Sequence, residues 1–119
     1  MDVRIRILLR IIDERAGVLQ LSSRELGNLL GLSEARVLRL FTSETGKHLR
    51  TYVREVKMTR AAELLKDSLI PIKMIAAHCG YSVVSNFYRD FKIVYGTSPK
   101  QMRQAQMGEA FCMMALRSL

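Results

Sequence analysis

Leu26 to Phe41 reads LGNLLGLSEARVLRLF, and Ile75 to Phe91 reads IAAHCGYSVVSNFYRDF. Laid over one another, they place Gly31 on Gly80, Ser33 on Ser82, Val37 near Phe87 and Phe41 on Phe91, with one extra residue in the second copy. Beyond the quoted stretches Gly46 falls on Gly96 and Tyr52 on Met102, so turn, cap and core positions recur together. A repeat of this length is one supersecondary unit used twice. Each copy has the pattern of a helix, a short Gly turn and a second helix, which is the helix-turn-helix arrangement.

Working outward, apolar residues fall at helical spacing almost throughout, and both prolines sit where helices start. The expected fold is all-α: two tandem helix-turn-helix subdomains joined by a long connecting helix, with about seven helices. A first helix near residues 2 to 16 is expected to bury Val3, Ile7, Leu8, Ile11 and Ile12 and to end at Gly17. Ser22-Ser23-Arg24-Glu25 offers a capping box for a helix to about Leu30. Gly31 suits a tight turn, Ser33 suits the N-cap of the next helix, and Gly46 stops that helix. The connecting helix is expected from about His48 to Asp67, roughly 30 Å long at 1.5 Å per residue. Pro71 opens a short helix, a further helix runs to about Tyr95, and Ser98-Pro99 caps the last. The expected division is residues 1–47 and 69–106 for the two subdomains and 48–68 for the connecting helix. Residues 107–119 form an apolar tail with Phe111, Met113, Met114, Ala115 and Leu116, expected to pack back, meet another domain or stay disordered.

The chain of 119 residues carries a formal charge of +8, spread from Arg4 to Arg117, which points to a polyanionic partner. No apolar run approaches the roughly 20 residues of a membrane span. Cys79 and Cys112 lack the short spacing of a metal or redox pair, and no secretory leader is evident, so a reduced cytoplasmic setting is expected. Cys79 beside Gly80 reads as a small core residue, and His48 and His78 as surface or packing residues. No acid, base or second ligand stands at a useful spacing, so no catalytic residue, metal or cofactor is expected.

Stepping 100° per residue along the second helix of each copy separates an apolar from a polar side. In the first copy Val37, Leu40 and Phe41 face inward and Ala35, Arg36, Arg39 and Thr42 outward. In the second, Val84, Phe87 and Phe91 oppose Ser82, Ser85, Asn86 and Arg89. Such a polar face fits a DNA major groove: Arg forks to guanine O6 and N7, Asn pairs with adenine N6 and N7, and small residues allow close approach. Arg39 and Arg89 are the foremost candidates. The Val83-Val84 pair either meets thymine methyl groups or packs inside. Ser22, Ser23, Lys73, Ser82 and Lys92 are candidate phosphate contacts. Arg50, Arg54, Lys57 and Arg60 on the connecting helix read as a solvated basic face. Successive major-groove faces lie about 34 Å apart on one side of DNA, close to the expected length of the connecting helix. A helical protein-interaction module antagonising another regulator, with its basic faces holding acidic protein, is the competing expectation.

Lys57-Met58, Ala62, Leu65, Ile72, Ile75, Ala76, Gly80-Tyr81, Phe87, Phe91-Lys92, Gly96 and Ser98-Pro99 form a long, specific pattern. Over roughly residues 3 to 104 the chain resembles the DNA-binding region of the AraC/XylS family of bacterial transcription regulators. The resemblance implies that the second helix of each subdomain enters one of two adjacent major grooves of an asymmetric promoter site. Base-contact positions of the family fall on Ala35, Leu38 and Arg39, and on Val84, Ser85, Asn86, Tyr88 and Arg89. The implied partners are double-stranded promoter DNA and RNA polymerase, with no membrane. The resemblance also implies either a stand-alone small member or a C-terminal piece that follows an effector or dimerisation domain.

Overall fold

The computed structural model describes residues 1–15 and 22–117, with side chains as far as residue 108. Seven helices follow one another with no strand among the described residues: α1 Val3–Arg15, α2 Ser23–Leu30, α3 Glu34–Thr45, α4 Leu49–Leu65, α5 Ile72–His78, α6 Val84–Tyr95 and α7 Pro99–Arg117. They form two compact units that divide between Lys57 and Met58, inside α4. The Gly17 stop lies outside the described residues, as do the side chains of the apolar cluster beyond residue 108. The backbone of that stretch continues α7 to Arg117.

Local chemistry accounts for the boundaries. The Ser22 hydroxyl accepts the Glu25 amide at 3.1 Å and the Ser33 hydroxyl accepts the Arg36 amide at 3.2 Å, each satisfying a donor that the helix start leaves open. Ser98 does the same for Gln101 at 3.1 Å, next to Pro99 in the first turn of α7. Between α2 and α3 the chain reverses at Gly31, whose φ of 71° is a left-handed conformation that a side chain would resist. That turn closes with the Leu32 amide on the Gly27 carbonyl at 2.8 Å, and the second unit repeats it with the Tyr81 amide on the Ala76 carbonyl at 3.0 Å.

The core of the first unit is Ile5, Leu8, Ile12, Leu26, Val37, Phe41 and Leu49, with Tyr52, Val53 and Val56 of α4 packed against it. That of the second is Met58, Ala61, Leu65, Ile75, Ala76, Cys79, Phe87 and Phe91. Helix α4 therefore closes the first core with its N-terminal half and opens the second with Met58, Ala61 and Leu65, whose spacing of three then four repeats that of Ile5, Leu8 and Ile12. The stripe of α1 differs from the expected one. Ile5 is fully buried, whereas Val3 is 64% and Ile7 48% exposed. Apolar residues occupy two neighbouring stripes of α1, and the one in phase with Leu8 and Ile12 at i+3 and i+7 takes the core. Helix α4 is also shorter than expected: its 17 residues span about 26 Å, and it stops at Leu65. The stop is clamped from α7, where Arg103 donates Nε to the Leu65 carbonyl at 3.1 Å and Nη2 to those of Asp67 at 3.1 Å and Ile70 at 2.7 Å. A side chain thus serves carbonyls that the end of a helix leaves without partners.

Two measurements probe this packing. A Cβ on Gly27 would stand 2.6 Å from the Leu32 carbonyl oxygen, part of the turn itself. Gly27→Val is expected to destabilise the chain by about 2 kcal/mol through overpacking, read as a lower thermal midpoint. The second concerns alkaline pH. Burial, aided by the Asp13 carboxylate that accepts the Tyr52 hydroxyl at 2.8 Å, pushes the Tyr52 phenol from its ordinary 10.0 up to about 12. A folded-state pKa above the unfolded one contributes stability below the unfolded value and loses it as pH rises through the folded one. Urea midpoints of the wild type are therefore expected to fall more steeply than those of Tyr52→Phe between about pH 10 and 12.

Candidate nucleic-acid interface

Burial of one stripe determines what α3 and α6 each show to solvent. In α3, Val37 and Phe41 are fully buried and Leu40 half-buried. In α6, Phe87 and Phe91 are fully buried within a run of aromatic contacts: Tyr81 on Phe87 at 5.5 Å, Phe87 on Phe91 at 5.8 Å and Phe91 on Tyr95 at 4.8 Å between ring centroids. The Tyr95 hydroxyl donates to the Met58 carbonyl at 2.9 Å, tying the end of α6 to α4. Aromatic pairs at such separations add packing energy and limit rotation of the helix about its axis.

With those stripes inward, Ala35, Arg36, Leu38 and Arg39 of α3 are exposed, and so are Ser85, Asn86, Tyr88 and Arg89 of α6. Arg39 and Arg89 hold equivalent places, each two residues after one buried core residue, Val37 or Phe87, and two before the next, Phe41 or Phe91. Ala35 and Ser85 are equivalent in the same way, as are Arg36 and Asn86. Val84 is half-buried and packs against the second core, whereas Val83 before it is 50% exposed. Of the pair, Val84 therefore packs and Val83 faces solvent. Thr42 faces less outward than its phase suggested, being half-buried with its hydroxyl donated to the Leu38 carbonyl at 3.0 Å.

The candidate phosphate contacts fall into two groups. Ser22 caps α2, and Ser23 donates to Glu34 at 2.6 Å, linking the starts of α2 and α3, so both hydroxyls already serve the first hairpin. Lys73, Ser82 and Lys92 are exposed. Among the exposed cations of α3 and α6, Arg89 carries a structural partner: its Nε lies 3.5 Å from Asp90 Oδ1, and the Tyr81 hydroxyl donates to Asp90 Oδ2 at 2.7 Å. Cys79 is fully buried in the second core, consistent with its reading as a packing residue, and no group of three or more metal-ligating side chains occurs among the described residues. No helix among them is long and apolar enough to cross a membrane.

Two buried cores, each presenting a second helix after a Gly turn, define a helix-turn-helix protein. Residues 26–105 match the helix-turn-helix domain family of AraC/XylS type. The multiple antibiotic resistance protein MarA of Salmonella typhimurium is 34% identical over 97 residues, covering 81% of this chain and 76% of that protein. The xylose operon regulatory protein of Escherichia coli is 31% identical over 74 residues, which are 62% of this chain and 19% of that protein. Among solved structures, the C-terminal domain of AraT, a response regulator from Geobacillus stearothermophilus, superposes with a TM-score of 0.83 at 27% identity, covering 87% of this chain and 86% of that one. The chain belongs to the AraC/XylS family of DNA-binding transcription regulators. Its fold and family are those of regulators rather than enzymes.

One difference between the two hairpins is testable. Ser33 caps α3, but the corresponding start of α6 has Val83 at the N-cap with no side-chain hydrogen bond, because the extra residue of the second copy falls after Ser82. Ser33→Ala is expected to cost about 1 kcal/mol in chemical denaturation, whereas Ser82→Ala leaves the midpoint nearly unchanged.

Proposed function

We propose that the chain binds promoter DNA sequence-specifically, with α3 and α6 in adjacent major grooves of an asymmetric site, and regulates transcription through contact with RNA polymerase. The observation that carries this is the equivalence of Arg39 and Arg89: one arginine at the same place on each of two recognition helices, aimed outward by the same buried stripe. In α3 the readers are Arg36 and Arg39, with Ala35 and Leu38 making apolar or close-approach contacts. In α6 they are Ser85, Asn86 and Arg89, with Val84 supporting the helix from the core side. The unlike composition of the two faces favours two unlike half-sites over a palindrome. Lys73, Ser82 and Lys92 are the phosphate contacts best placed by exposure.

Arg39→Ala and Arg89→Ala are each expected to weaken binding to a selected duplex by about 1 to 3 kcal/mol while leaving the thermal midpoint unchanged. Titrations on the selected duplex and on a random one, at two salt concentrations, check this. Equal losses on both duplexes would contradict the base-reading role. Absence of any binding at low salt would contradict DNA binding itself and favour an acidic protein partner, because phosphate neutralisation gives a steep negative salt slope.

A further inference from the structure

Asp90 is an acidic residue on a helix proposed to lie against a polyanion. Neighbours along a helix do not share a face, so contact between Asp90 and Arg89 is not a consequence of their adjacency. Asp90 is also held from elsewhere. Its Oδ2 accepts the Tyr81 hydroxyl at 2.7 Å, and Tyr81 is fixed in the turn by its amide on the Ala76 carbonyl and by its ring against Phe87. The Asp90 side chain is 18% exposed and leaves Oδ1 at 3.5 Å from Nε of an Arg89 side chain that is itself 61% exposed.

We propose that Asp90, anchored by Tyr81, is a positioning residue that orients the Arg89 guanidinium for guanine. This rests on the assignment of Arg89 as a base-reading residue. The guanidinium offers a planar fork of donors on a long flexible stem, and ordering such a stem at an interface has an entropic cost. A carboxylate at the Nε edge restricts the stem before DNA arrives and leaves the two Nη donors at the far end for guanine O6 and N7. It also offsets part of the positive charge, so that Arg89 contributes less to binding any phosphate backbone and more to choosing a base. The places of Tyr81 and Asp90 are taken in the first module by Leu32 and Leu40, which cannot hold an arginine in this way. The device belongs to the second module, and Arg39 is its internal control.

The test selects bound sites from a random duplex library with the full chain as wild type, Arg39→Ala, Arg89→Ala, Asp90→Asn and Tyr81→Phe, and compares base frequencies position by position. Arg89→Ala is expected to erase a guanine preference at one position. Asp90→Asn is expected to weaken that same preference about three- to tenfold, Tyr81→Phe to weaken it less, and both to leave the position lost in Arg39→Ala unchanged. Affinity of Asp90→Asn for random duplex is expected to stay level or rise. A partly unfolded variant loses affinity for every sequence by one factor, so base frequencies separate positioning from stability. If Arg89→Ala erases a preference that Asp90→Asn leaves intact, positioning is overturned and base reading stands. Should Arg89→Ala erase none, both fall.

Discussion

The fully buried pairs Val37–Phe41 and Phe87–Phe91 decide what α3 and α6 can show to solvent. Each pair spans one turn of its helix, and turning it inward fixes the rotation of that helix about its own axis. Only then does a residue midway between the pair, Arg39 or Arg89, point to solvent. The rest of each unit supplies the floor on which the pair sits: Ile5, Leu8, Ile12 and Leu26 in the first, Met58, Ala61, Leu65 and Ile75 in the second. The exposed face of each helix is thus a by-product of core packing. That is why its residues can vary in chemistry, Arg36 against Asn86 and Ala35 against Ser85, without change of fold.

The two units reach that geometry by different chemistry. In the first, short caps and a tight approach dominate: Ser22 and Ser33 close helix starts, Ser23 links them through Glu34, and Gly27 lets the turn carbonyl come near. In the second, the cap at α6 is missing and aromatic packing holds the helix instead, from Tyr81 through Phe87 and Phe91 to Tyr95. Arg103 adds a clamp across three carbonyls between α4 and α5.

Much of this was legible in the residues because it is local. Ser22, Ser33, Gly31, Gly46 and Pro71 mark helix ends through their own side chains and backbones, and the starts and stops of α2 and α3 and the start of α5 fall where those residues put them. The outward placement of Ala35, Arg36, Arg39, Ser85, Asn86 and Arg89 follows from helical phase alone. Phase failed in α1, where too many apolar residues left two stripes open and Ile5 rather than Val3 and Ile7 took the core. Length failed in α4, because the clamp at its end comes from Arg103, far along the chain. The Tyr81–Asp90–Arg89 chain and the close approach at Gly27 escaped for the same reason, since neither has a signature until distant backbone is brought together.

The proposed reading of base edges on one DNA molecule by both α3 and α6 is open to direct measurement. Methylation interference at guanine N7, on a duplex selected by the wild-type chain, tests it most directly, because that atom lies in the major groove where arginine forks bind. Two separate clusters of interfering guanines are expected about 10 base pairs apart, one lost in Arg39→Ala and the other in Arg89→Ala. A single cluster, or two that both survive in each variant, would contradict it.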